Sequence, residues 1–184
     1  DGGIITLPNE NLYKRCKLLR WYGIDRDKRN YKKKDFRLEH DISEYGYKFH
    51  MNDVNATLGL YNLPHIDGLL EKARDNFNYY HKELKNIDGL ILNENANDRK
   101  SSCWLFTVRV NRKLEFIEKM KEKKIMISQV HQRNDINSCV KEFQEILPNI
   151  DQLEKKLVCI PVGWWVTKKE REYIVKCIKE FFNN

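Results

Sequence analysis

The chain has 184 residues, enough for one domain, or one and a half, with a core of its own. At 41% apolar and 33% charged, with a mean hydropathy of −0.73, it has no run near the ~18–20 apolar residues of a membrane span. It shows no basic, apolar leader either, and its formal charge of +7 and pI near 9.1 fit an anionic partner.

Gly2–Leu7 predicts a strand behind a Gly-Gly turn, and entry into a strand at Asp1 reads as the middle of a longer polypeptide. Pro8–Asn9 opens a helix to about Tyr22, with Leu12, Cys16 and Leu19 on one face and Gly23 as its stop. Residues 24–44 form a polar excursion holding the basic run RDKRNYKKKDFR at 26–37. Such a run is a solvated loop or a polyanion site. Next, Tyr45, Tyr47, Phe49 and Met51 alternate with Gly46, Lys48 and His50. Period two predicts an extended arm with a packed aromatic face and an accessible face carrying a cation and an imidazole. Asn52 then caps a helix that Asp53 favours through the dipole, with Val54, Leu58 and Tyr61 on one side.

A domain boundary is expected near here, giving units 1–64 and 65–184. The second unit reads as α/β, with about four strands and four helices. Ile66, Leu69, Leu70, Ala73, Phe77, Tyr80 and Leu84 make a continuous helical stripe. An Asp88–Gly89 turn leads to a strand at 90–92, and a surface loop fills 93–102. Trp104, Phe106, Val108 and Val110 alternate on a strand, and Leu114, Ile117 and Met120 mark a helix. A short strand follows at 125–129, then helices at 138–146 and 151–156, and a strand at 157–160. Thr167 and Glu170 form a capping box ahead of Ile174, Ile178, Phe181 and Phe182.

The chain lacks GxSxG, HExxH, P-loop and GxGxxG motifs. His40, His50, His65, His81 and His131 lack metal-ligand spacing, and no metal is expected. The five cysteines, widely spaced and without a CxxC, fit buried thiols in a reducing cytoplasm. What remains are polar groups at strand ends and on loops, where sites are commonly built. They are Lys48 and His50 on the arm, Asp25 and Arg26 after the first helix, and His131, Arg133 and Asn134 after a strand. Arginine and lysine suit phosphate or carboxylate recognition. Each of the seven, taken alone, also reads as an ordinary surface residue. Trp164–Trp165 is either a core or interface pair, or a stacking platform for a sugar or base.

Five blocks in order, DGGIITLPNENLYKRCKLLRWYGI, YGYKFHMNDVNATLGLYNL, EKARDNFNYYHKEL, SQVHQRND and LVCIPVGWWVTKKEREYI, resemble the C-terminal half of the DegT/StrS sugar aminotransferases. The resemblance implies an α/β enzyme of fold type I, the aspartate aminotransferase fold, comprising the end of the large domain and the small domain. It further implies a transferase using pyridoxal 5'-phosphate (PLP/PMP) to carry an amino group from glutamate to a nucleotide-linked 4-keto-6-deoxy sugar. The enzyme would be a homodimer with shared active sites, cytoplasmic and without a membrane partner. In it Lys48 would meet the cofactor phosphate across the dimer, and His50 would face the substrate. His50 departs from the residues common at that position. His131 and Arg133 would lie near the nucleotide-sugar, under a basic cover from 26–37. The Schiff-base lysine is expected upstream of Asp1, so no catalytic residue is assigned within the chain. Relatives with histidine at the lysine position are dehydratases, which stands as an alternative reaction. The rivals from other classes are a basic nucleic-acid-binding module and a purely structural dimerisation half.

Overall fold

The computed structural model describes residues 2–28 and 41–183, and the chain divides into two compact units, residues 1–64 and 65–184. Most of the basic run at 26–37 therefore lies outside the described residues.

In the first unit, α1 spans Glu10–Leu19 and α2 spans Asp53–Asn62. Both begin where a side chain satisfies an orphan amide. Leu12 N–H donates to Asn9 Oδ1 at 3.0 Å, and Asn55 N–H donates to Asn52 Oδ1 at 2.9 Å. Gly23, at φ +78°, ends the turn after α1 in a conformation that favours glycine. The strand expected at 2–7 does not form: these residues have no ladder partner among the described residues, and Ile4 is 94% exposed. Apolar alternation alone cannot make a strand where no sheet edge is offered. None of the described residues of 2–64 is buried.

The second unit holds the core. Three antiparallel strands, β1 (Leu90–Leu92), β2 (Phe106–Val110) and β3 (Leu157–Ile160), lie in the order β1-β2-β3, with Leu90 opposite Val110 and Val108 opposite Val158. Phe106, Val108 and Val110 point inward, as alternation predicts. Tyr80 and Leu84 of α3 (Ile66–Leu84), Phe116 and Met120 of α4 (Lys113–Glu122), and Ile174, Ile178 and Phe181 of the closing helix complete the same cluster. Burying each such side chain stabilises by about 1.5–3 kcal/mol before entropy is counted.

That closing helix, Lys168–Asn183, starts at the expected capping box: Glu170 Oε2 accepts from Thr167 N–H at 2.7 Å, and Thr167 Oγ1 accepts from Glu170 N–H at 3.3 Å. It is tied to α3 by ion pairs of Arg171 with Asp75 and of Lys179 with Glu83. Asn76 of α3 is the one buried polar side chain among the described residues. Its Nδ2 donates to the carbonyls of Val166 (2.9 Å) and Gly163 (3.2 Å), fixing the turn before the closing helix.

Two expectations change here. Residues 125–129 add only a bridge, Ser128 to Cys159, because both hydrogen bonds fall on one residue pair. The segment 138–146 is a 3₁₀ turn over Ser138–Phe143, broken at Val140, rather than an α-helix. Asn137 is engaged with Asn134 O (2.9 Å) and offers no side-chain cap. A short helix, α5 (Pro148–Glu154), leads into β3, and the closing helix is α6.

Candidate functional site

Residues 44–50 form an arm laid across the C-terminal end of α1. Tyr47 N–H donates to Leu19 O at 2.7 Å, Phe49 N–H to Arg20 O at 2.9 Å, and Tyr22 N–H to Tyr47 O at 3.1 Å. Trp21 and Lys48 form an antiparallel bridge. Arg15 of α1 grips Glu44 through both oxygens, at 3.0 and 2.6 Å, a fork geometry that holds Glu44 below the usual carboxylate range. Gly46 lets the two backbones meet: a Cβ there would fall on Gly23 N and lie 2.6 Å from Leu19 O.

The aromatic face expected to be packed is open. Tyr45 is 80% and Phe49 76% exposed, and the rings lean on one another, Tyr47 and Phe49 stacked at 5.0 Å and 10°. Period two defines two faces but not which one turns inward, and this unit has no interior to receive either. Ile4, Ile5, Tyr13, Phe49, His50 and Met51 line a cleft of about 760 Å³.

Three of the predicted residues, Lys48, His50 and Arg26, meet at one residue outside the predicted set, Trp21. Trp21 receives the His50 ring edge-on at 3.9 Å, carries the Arg26 guanidinium 5.5 Å from its ring centre, and bridges Lys48 through its backbone. Asp25 precedes Arg26, accepting from Asp27 N–H at 3.1 Å and pairing with Lys28 at 3.5 Å. Partial burial opposes ionisation of Asp25, but the Asp27 amide and Lys28 outweigh it and hold the carboxyl low. Lys48 is exposed and has no ion-pair partner among the described residues. His50 differs: it is half-buried, and its Nδ1 is enclosed without a hydrogen-bond partner. The one sequence signal for Trp21 was its place just before the Gly23 stop.

His131, Arg133 and Asn134 form a separate group in the second unit. Arg133 donates to both oxygens of Asp135 and to Asp151 of α5, with its side chain only 13% exposed. Those hydrogen bonds push its pKa up and leave few donors free for a ligand. His131 is exposed beside Trp104, ring centres 5.8 Å apart, and Asn134 is exposed. Arg133 hydrogen-bonds Asp135 and holds its carboxyl below the ordinary value of about 4. The folded pKa is depressed, so the clamp is at full strength above the ordinary value and is lost as pH falls through the folded one. Backbone amide NMR shifts of residues 133–135 should then report an unchanged loop from neutral pH to about 4 and loosening only below. Loosening of that loop between pH 5 and 7 would refute the clamp.

Among the described residues no three metal-ligating side chains cluster, and no helix is long and apolar enough to cross a membrane. A phosphate-bearing cofactor does fit the arm: Lys48 is an exposed cation without an ion-pair partner among the described residues, and His50 has an unused nitrogen one alternation away.

The chain matches the DegT/DnrJ/EryC1/StrS aminotransferase family over residues 1–179 and belongs to it. Its fold is accordingly the α/β, fold-type-I class of the PLP-dependent sugar aminotransferases. It is similar to the sugar aminotransferase CalS13 from Micromonospora echinospora, at 37% identity and a TM-score of 0.86, and to AtS13 from Actinomadura melliaura, at 38% and 0.85. Each comparison covers 95% of this chain and 46% of the other. A UDP-4-amino-4,6-dideoxy-N-acetyl-beta-L-altrosamine transaminase from Campylobacter jejuni is 30% identical over 108 residues, 59% of this chain and 27% of the relative. The chain thus spans less than half the length of these proteins.

Proposed function

We propose that these residues are the C-terminal part of a PLP-dependent aminotransferase that moves an amino group from glutamate to a nucleotide-linked 4-keto-6-deoxy sugar. The enzyme is a homodimer with shared sites, and the cofactor's covalent anchor lies in sequence outside these 184 residues. The observation that carries this is an exposed lysine held by the backbone hydrogen bonds of its neighbours on an arm, in a chain of this family. When bound, the cofactor supplies the carrier for the amino group and the sink for electrons.

The chain's own residues bind and orient. Lys48 places a cation on the cofactor phosphate, and the Tyr47 and Phe49 hydrogen bonds on either side fix its height above α1. Trp21 packs against the His50 ring edge-on and limits its rotation, so His50 would meet the substrate in one ring orientation. The apolar cleft beside them excludes water once covered.

In the full-length dimer, Lys48→Ala should weaken cofactor retention about tenfold, the low end for a hydrogen bond to a charged group. Equilibrium dialysis of the cofactor reads this directly, and unchanged affinity would remove Lys48 from the site. The reaction itself is tested by following 2-oxoglutarate release from glutamate with a panel of nucleotide-linked 4-keto-6-deoxyhexoses. Loss of water from the sugar without consumption of glutamate would replace transfer by dehydration.

A further inference from the structure

We propose that Trp104 and His131 form the seat of the substrate's nucleobase, a reading that rests on the nucleotide-sugar function above. Trp104 precedes β2 and is 66% exposed, and its outward direction is built rather than incidental. The preceding residue, Cys103, is in the left-handed region at φ +53°, which a residue with a side chain adopts only when its surroundings hold it there. Three contacts do so. Cys103 N–H donates to Ser101 Oγ at 3.0 Å, its side chain is buried, and Arg74 Nε donates to Ser101 O at 2.8 Å.

His131 is presented from the other side by an equally braced loop. Arg133, two residues on, is clamped between Asp135 and Asp151, and Cys159 Sγ donates to Val130 O at 3.4 Å. The rings meet at 41° with centres 5.8 Å apart, too tilted to stack on each other. The indole keeps a free face, and an imidazole N–H beside it can donate to a carbonyl or ring nitrogen on the edge of a flat heterocycle lying on that face.

The surrounding chemistry favours a base over a phosphate or an apolar side chain. Of the cations near this pair, Arg133 is occupied by two carboxylates and Arg74 donates to Ser101 O, so the seat has little to offer a phosphate. His131, Gln132 and Asn134 are exposed and polar, suited to a base edge and unsuited to a protein hydrophobe. Stacking supplies affinity, and the polar rim supplies orientation.

Calorimetric titration of the full-length enzyme with UDP, TDP and inorganic pyrophosphate tests this. Trp104→Ala should lower affinity for the preferred nucleoside diphosphate about tenfold, and Trp104→Phe should restore it to within about threefold of wild type. Pyrophosphate binding should not change, and KM for the nucleotide-sugar should rise with kcat retained. Wild-type-like nucleoside diphosphate binding by Trp104→Ala, in an enzyme that still transfers the amino group, overturns the seat and leaves the proposed function standing. Equal loss of pyrophosphate affinity, or a change of oligomeric state without loss of nucleotide affinity, overturns it in favour of a structural role. A wild-type enzyme that binds neither nucleotide and transfers no amino group removes the function, and the seat with it.

Discussion

Gly46→Ala is expected to lower cofactor occupancy and turnover of the assembled enzyme at least about tenfold, while the melting of residues 65–184 stays as it was. The added methyl would land on Gly23 N, with Leu19 O at 2.6 Å and the Tyr22 carbonyl carbon at 2.9 Å. All three are backbone, so no side chain can swing aside. The Leu19 carbonyl is moreover the acceptor for Tyr47 N–H at 2.7 Å, and displacing one breaks the other. Gly23 faces the mirror problem, since a Cβ there would strike Glu44 O and lie 2.8 Å from the Ile42 side chain. The pair acts as a backbone-on-backbone joint whose loss lets Lys48 drift, and a misplacement of about 1 Å suffices to cost catalysis heavily. Full cofactor retention by Gly46→Ala would show that the arm is positioned by something other than α1.

Asn76→Leu should destabilise the 65–184 unit by about 2–3 kcal/mol, although it nearly conserves volume. The substitution leaves Val166 O without its 2.9 Å donor and Gly163 O with only Val166 N–H, and deprives Arg171 Nη1 of an acceptor at 3.0 Å. Buried polar groups left unpartnered lose their full solvation, which an added apolar contact does not restore. For a unit of this size the thermal midpoint should fall by roughly 10 °C. A drop under about 2 °C would mean that the side chain serves as packing and that the turn before α6 holds itself.

The helices were legible because their signals are local. Asn9, Asn52 and the Thr167–Glu170 box each act within three residues, and all three make the expected hydrogen bonds. The β2 alternation was legible because Phe106, Val108 and Val110 meet a core within their own unit. Where a partner lies far along the chain, reading failed. Residues 2–7 have strand chemistry without a neighbouring strand among the described residues, and nothing near Asn76 in sequence announces its buried hydrogen bonds, because its acceptors stand some ninety residues on. Arg133 illustrates the limit for the site. Its charge was plain, but whether its donors were free depended on Asp151, eighteen positions later. Lys48 could be placed by pattern alone, whereas Trp21, around which Lys48, His50 and Arg26 are arranged, could not. Its role comes from three contacts supplied by two segments, the arm and the turn after α1.

The uneven distribution of the core gives the two units different genetic sensitivities. An apolar-to-polar change within 65–184 strikes an interior already present in the chain and is felt as a fault of folding. The same change at Ile4, Phe49 or Leu58 strikes a surface that only another surface can cover. Under the proposed function, its harm would stay silent in these residues alone and come to light only in the assembled dimer.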